Sequence, residues 1–101
     1  MNSEKAAAML SLAQKAGKVA GGSLAAEKAI KGGSAHLVLL AADASGNTTK
    51  KYSNMAAWYQ VPLRTFLNRE ELGRRIGKAE RSVLAVTDGN LAEAIQKQLE
   101  E

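Results

Sequence analysis

Gly21-Gly22-Ser23, with Lys18 just before it and Lys28 and Lys31 just after, is the part of the chain whose residue types and spacing point most directly to chemistry. Two glycines and a serine ahead of an alanine-rich stretch predict a turn that opens a helix, with Ser23 as its cap. The first N–H groups of a helix have no partner within it and carry partial positive charge, and glycines let a bulky anion approach them. A phosphate is the natural occupant, on a nucleic-acid backbone or on a small phosphorylated ligand. The plainer reading of the same glycines is a turn and nothing more.

Groups suited to covalent or acid–base chemistry are sparse. The chain has no cysteine, and its single histidine, His36, precedes an apolar run with no nucleophile beside it, so it reads as structural. Asp43 and Asp88 each follow a strand-like run, which fits a phosphoacceptor or metal pair but equally fits helix caps. Gly17-Lys18 lacks the earlier glycine and following Ser/Thr of a Walker loop, and the glycines at 73 and 77 sit in a charged setting where their spacing has no membrane meaning. The expectation is a non-enzymatic protein with no catalytic residue, no cofactor and no metal site.

The 101 residues are 46% apolar, which suits one core and one domain spanning 1–101. The formal charge of +4 is unevenly spread. Residues 1–31 carry Lys5, Lys15, Lys18, Lys28 and Lys31 against Glu4 and Glu27, whereas 88–101 carry Asp88, Glu93, Glu100 and Glu101 against Lys97. One cationic face suits a polyanion. The absence of cysteine fits a reducing compartment, the N-terminus lacks a signal-peptide pattern, and no apolar run approaches membrane-spanning length, so a soluble cytoplasmic protein is expected.

The elements that must position these residues follow from periodicity. Met9, Leu12, Ala13 and Ala16 have the spacing of an amphipathic helix that Gly17 ends, and a short strand at Val19-Ala20 follows. The second helix runs from Ser23 to about Lys31 and closes at Gly32-Gly33. Residues 37–42 are continuously apolar, as in a strand covered on both faces. A third helix holds Tyr52, Met55, Ala56 and Tyr59, and places Lys50 and Lys51 in its first turn, where the helix dipole disfavours them. Trp58 lies off that stripe and reads as packing at the rim of the core, with stacking on a base as the alternative. Residues 61–67 read as a strand, Asn68 and Glu71 as a capping box on a short helix ending at Gly77, and 82–87 as another buried strand. Asp88 then starts a last helix with Leu91, Ala92, Ile95 and Leu99 inward. About five helices alternating with about four strands predict an α/β fold, a three-layer α/β/α sandwich around a small mixed sheet.

Gly17-Lys18-Val19, Gly22-Ser23, Lys28-Ala29-Ile30, the run 37–41 with Asp43, Val61-Pro62, Leu72-Gly73, Gly77 and the run 83–86, in this order and spacing, resemble the kink-turn-binding ribosomal-protein family of the L-seven-Ae type over nearly the whole chain. Leu72-Gly73-Arg74-Arg75-Ile76-Gly77-Lys78 and Thr87-Asp88-Gly89-Asn90 are similar to its small bacterial, YlxQ-like branch. The resemblance implies that the turn before the second helix, the first turns of that helix and the loop before the last strand grip a sharply bent RNA. It implies backbone contacts from Gly21, Gly22 and Ser23, and phosphate or kink contacts from Lys18, Lys28, Lys31 and Arg69. Gly77, Lys78 and Arg81 then belong to a loop, 77–81, that closes over a nucleotide. A-form RNA is recognised in this way, by shape, phosphates and 2′-hydroxyls, with unpaired bases supplying specificity.

One departure matters. Many members place an Asn-Glu pair directly after the position of Ser23, where it reads guanines of the kink, whereas this chain has Leu24 and Ala25, which cannot supply those hydrogen bonds. The partners implied are a structured RNA, ribosomal in the first instance, and ribosomal proteins, with no membrane and a monomer when free. The competing reading is a ribosome-assembly or protein-interaction factor of the same fold with weak or no RNA affinity. A small nucleotide-binding enzyme is the third class, since alternating α/β folds host many.

Overall fold

The computed structural model describes residues 2–100. Its elements alternate as α1 (Ser3–Lys15), β1 (Val19–Gly21), α2 (Ser23–Lys31), β2 (Leu37–Leu40), α3 (Gly46–Trp58), β3 (Leu63–Thr65), α4 (Arg69–Arg75), β4 (Val83–Val86) and α5 (Gly89–Glu100). The strands form one sheet in the order β1-β4-β2-β3. β2 and β3 are parallel, and β4 is antiparallel to both β1 and β2. β1, β2 and β3 therefore point the same way and finish where β4 begins. That end of the sheet, the upper end, collects Gly22, Asp43, Asn68 and Arg81, together with the starts of α2, α3 and α4.

Each strand face buries alternate residues, as a two-residue period requires. Leu37, Leu39, Ala41, Leu84 and Val86 pack with α1, α4 and α5, whereas Val38, Leu40, Val83 and Ala85 pack with α2 and α3. This is the three-layer sandwich with a mixed four-stranded sheet that the alternation predicts. Every residue of β2 and β4 is buried, and each such Leu or Val contributes roughly 1.5–3 kcal/mol of hydrophobic stabilisation.

Several local expectations change. α1 buries Ala6, Ala7, Leu10 and Ala13, while Leu12 is 58% exposed and Ala16 lies outside the helix as its C-cap. The stripe through Ala6, Leu10 and Ala13 meets α5 and the sheet, and Leu12 falls outside it because 12 is half a turn from 10. The strand expected at 61–67 is confined to Leu63–Thr65. At its start, Gln60 takes φ 57 and the Val61 N–H bonds the Ala56 carbonyl, so this stretch completes the end of α3; Leu67, φ 58, then turns the chain toward α4. α3 opens at Gly46 behind Ser45, whose Oγ accepts from the Thr48 N–H at 3.1 Å, so Lys50 and Lys51 stand in the second turn, not the first. Trp58 is 81% exposed and Tyr59 41% exposed: the tryptophan does not pack at the core rim.

Candidate nucleic-acid interface

Gly22 controls how α2 begins. Its φ of 100° is closed to residues with a Cβ, its N–H bonds the Val83 carbonyl at 3.0 Å, and its carbonyl accepts from the Ala26 N–H at 2.9 Å. Gly22 is thus the N-cap, and Ser23, expected there, is the first helical residue. No side chain caps this helix, so its first N–H groups lack the partner that a serine cap would have supplied. From α3, the Tyr52 hydroxyl donates to the Ser23 carbonyl at 2.7 Å and pins the turn in place.

The loop 77–81 is seated with comparable care. Asn68 Oδ1 accepts from the Glu71 N–H at 2.8 Å, the capping expected from the sequence, and starts α4. Gly77, φ 70, ends it, with the Lys78 N–H bonding the Gly73 carbonyl at 2.8 Å. The chain then folds back onto its own helix. A Cβ on Gly73 would stand 2.1 Å from the Ala79 carbonyl oxygen and 2.9 Å from Glu80 Cα, so backbone lies directly on backbone there. The Arg81 N–H bonds the Arg69 carbonyl at 3.0 Å, and Arg81 Nη1 donates to the Ala79 and Glu80 carbonyls at 3.1 and 3.0 Å.

These two segments meet. Arg81 Cδ and Nε lie 3.4 Å from where a Cβ on Gly22 would be, and Ile76 Cδ1 lies 2.7 Å from where one on Gly21 would be. The turn 21–23 and the loop 77–81 are therefore neighbours at the upper end of the sheet, despite more than fifty residues of separation in the chain. Lys28 and Lys78 are exposed and make no ion pair among the described residues.

The remaining candidates have other surroundings. Lys31 pairs with Glu27 at 3.1 Å, and Glu27 also takes Lys51 of α3 at 2.8 Å, so one carboxylate bridges both helices. The two lysine hydrogen bonds, Lys51 first, hold the Glu27 carboxyl below the usual carboxylate range. Arg69 stands between Asp43 (3.5 Å) and Glu80 (3.8 Å), its charge more than offset, and acts through the backbone that holds Arg81. Lys18 precedes β1 at the opposite end, where its carbonyl accepts from the Thr87 N–H, so the structure separates it from the turn 21–23 by the length of that strand.

Two connections escape a reading of spacing alone. Asp43, read as a possible cap for the helix that follows it, instead accepts the Arg69 N–H on Oδ1 at 2.8 Å and serves the start of α4, twenty-six residues away. The Gly73 seat is the other, and its signal was present: glycine inside a short helix costs roughly 1 kcal/mol and calls for a packing reason. The hydrogen bond from the Arg69 N–H, with that guanidinium nearby, lowers the Asp43 carboxyl below its ordinary value. A depressed carboxylate stabilises the fold fully above its unfolded pKa, about 4, and that stabilisation is lost as pH falls through the lower folded value. Asp43→Asn is accordingly expected to make the acid limb of the stability profile, below about pH 4, shallower. Thermal melts between neutral and strongly acidic pH check this, and an unchanged acid limb would remove the assigned coupling.

The chain is thus a small α/β/α sandwich whose uncapped helix start and return loop share one end of the sheet, and the comparisons agree with that fold class. The model of the ribosomal protein L7Ae/L30e/S12e/Gadd45 family matches residues 4–96, and the chain belongs to that family. It is 45% identical over 84 residues to the RNA-binding protein YlxQ of Bacillus subtilis, covering 83% of this chain and 84% of that protein. It is 32% identical to the RNA-binding protein YlxQ of Enterococcus faecium, covering 98% and 95% of the two chains. The solved structure of a protein of unknown function from Bacillus halodurans superposes with a TM-score of 0.92 at 35% identity, covering 96% of this chain and 98% of the other. The Giardia lamblia 15.5kD RNA binding protein shares the fold, with a TM-score of 0.77 at 20% identity over 93% of this chain and 83% of that one.

Proposed function

We propose that this protein is a non-enzymatic RNA-binding protein that docks a bent, kink-turn-like RNA on the upper end of its sheet and works in association with the ribosome in the cytoplasm. The observation that carries the reading is the contact between Gly22 and Arg81, which joins an uncapped helix start to a basic loop. In this reading the first N–H groups of α2 take a phosphate, Lys28 adds charge one turn on, and Lys78 and Arg81 close over the bend. Lys31 contributes only the charge that Glu27 leaves, Arg69 is a positioning residue, and Lys18 makes a peripheral contact at most. The chain acts as one domain, as a monomer and without cofactor or metal. The names of the YlxQ relatives support RNA as the partner.

Lys28→Ala tests the site. A lysine that contacts phosphate contributes to every RNA sequence alike, so affinity should fall uniformly and the slope of log affinity against log salt should lose about 0.7–0.9. Binding isotherms at several salt concentrations measure it. An unchanged slope with unchanged affinity would take Lys28 out of the interface. A second reading, a protein-interaction factor on the same fold, draws on Leu24, which is 71% exposed in the first turn of α2. Loss of all RNA affinity in the parent protein would favour it.

A further inference from the structure

The outer flank of the α2 and α3 layer shares Lys28 and Lys31 with the upper-end site and adds three residues that site does not use, Lys50, Lys51 and Trp58 of α3. Lys28, Lys31, Lys50 and Lys51 stand on these two helices against a single acid, Glu27. Glu27 is already shared by Lys31 and Lys51, leaving an excess of cationic charge across the layer. Trp58, the one tryptophan of the chain, is 81% exposed at the end of α3, and nothing in the core accounts for it.

The placement is ordered. α2 and α3 both run from the upper to the lower end of the sheet, because each connects parallel strands. Tyr52 and Lys51 tie the first half of α3 to α2 through Ser23 and Glu27, so this flank is continuous with the α2 start. Trp58 follows Lys51 by seven residues, two helical turns, and so lies on the same side of α3 about 10 Å further along. Lys31 follows Glu27 by one turn on the facing side of α2.

We propose that this flank binds single-stranded RNA, an unpaired segment leaving the bent element at the upper end, with its backbone along the lysines and a base stacked on the indole of Trp58. A basic track ending in an exposed aromatic face is the arrangement that recognises single strands without strict sequence preference, since every base has a face to stack. The proposal rests on the reading of the upper-end site only in that both contacts belong to one RNA.

Trp58 supplies its own readout. Titrating the full chain with a short oligouridylate, which has no bend, should quench the tryptophan fluorescence saturably, and added salt should weaken the effect. Trp58→Ala should weaken oligouridylate binding, followed by anisotropy of a labelled strand, about fivefold or more, and Trp58→Phe should restore part of it. Lys50→Gln should weaken the quenching without changing the melting temperature. Absence of quenching, or equal affinity of Trp58→Ala and parent, would overturn the proposal. A fluorescence change that depends on protein concentration without RNA would assign the indole to a second copy of the chain and overturn it as well. The upper-end reading is judged separately, on a kinked duplex with Trp58→Ala: retained duplex binding with no oligouridylate binding defeats this inference alone. Oligouridylate binding with no preference for the kinked duplex defeats the other alone.

Discussion

Replacing Gly73 with alanine is expected to weaken RNA binding about tenfold while the sandwich still folds, an affinity loss equivalent to one charge-assisted contact. The added methyl would stand 2.1 Å from the Ala79 carbonyl oxygen and 2.6 Å from its carbon, and backbone cannot rotate away as a side-chain tip can. The loop 77–81 must lift from α4. That movement strains the bond from the Arg81 N–H to the Arg69 carbonyl and carries the arginine away from Gly22. Overpacking of this kind costs about 1–3 kcal/mol, and for a domain of this size each kcal/mol lowers Tm by roughly 4–8 °C. The second core layer, of Val38, Leu40, Val83 and Ala85 against α2 and α3, includes no residue of α4 and keeps the fold intact. Thermal melts and RNA titrations of the variant measure both effects. A variant that loses stability but keeps parental affinity would show that the loop plays no part in binding.

The second large effect turns on Leu24 and Ala25. If the RNA docks on the α2 start as the family resemblance implies, Leu24→Asn combined with Ala25→Glu supplies side chains that can meet guanine edges in a kink. Leu24 is 71% exposed and Ala25 half-buried in the first turn, so Leu24→Asn removes no core packing and the main burden falls on fitting the glutamate. Hydrogen bonds involving a charged group contribute about 1.5–3 kcal/mol, which corresponds to roughly tenfold or more in affinity. The new carboxylate also repels phosphates, so the gain should be confined to RNA that presents those edges. A kink-turn duplex should bind tighter and a straight control no better. Equal change on both would mean that this helix start does not meet the bases of the kink.

The residues that could be read in advance were those whose information is local. The run from Leu37 to Leu40, apolar without interruption, had to be covered on both faces, and it is. Asn68 with Glu71, and Asp88 ahead of Leu91, announced helix starts through a side chain that bonds an N–H three residues on, and both do so. Serine is the better cap by type, which favours Ser23, whereas the bond to the Val83 carbonyl fixes the preceding Gly22 and so shifts the cap by one residue. Arg69 looked available because its carboxylate partners, Asp43 and Glu80, reach it from other elements. The general burial of tryptophan favours the core rim for Trp58, but its position about 120° around the helix from Tyr52 and about 160° from Ala56 decides the matter. What the sequence could not state was adjacency: that Gly22 meets Arg81, and that Gly73 meets Ala79, follows only from the order β1-β4-β2-β3 and the return of the chain over α4.

The central claim, that one surface built from the α2 start and the loop 77–81 takes the RNA, is tested most directly by backbone amide NMR of the labelled protein titrated with a kink-turn duplex. The account predicts saturable shifts concentrated at Gly22, Ser23, Leu24, Ala25 and Lys28 and at Lys78, Ala79 and Arg81, with Lys18 and the amides of α5 little moved. Shifts gathered on α1 and α5, or none at a concentration where the RNA is shown to bind, would contradict it.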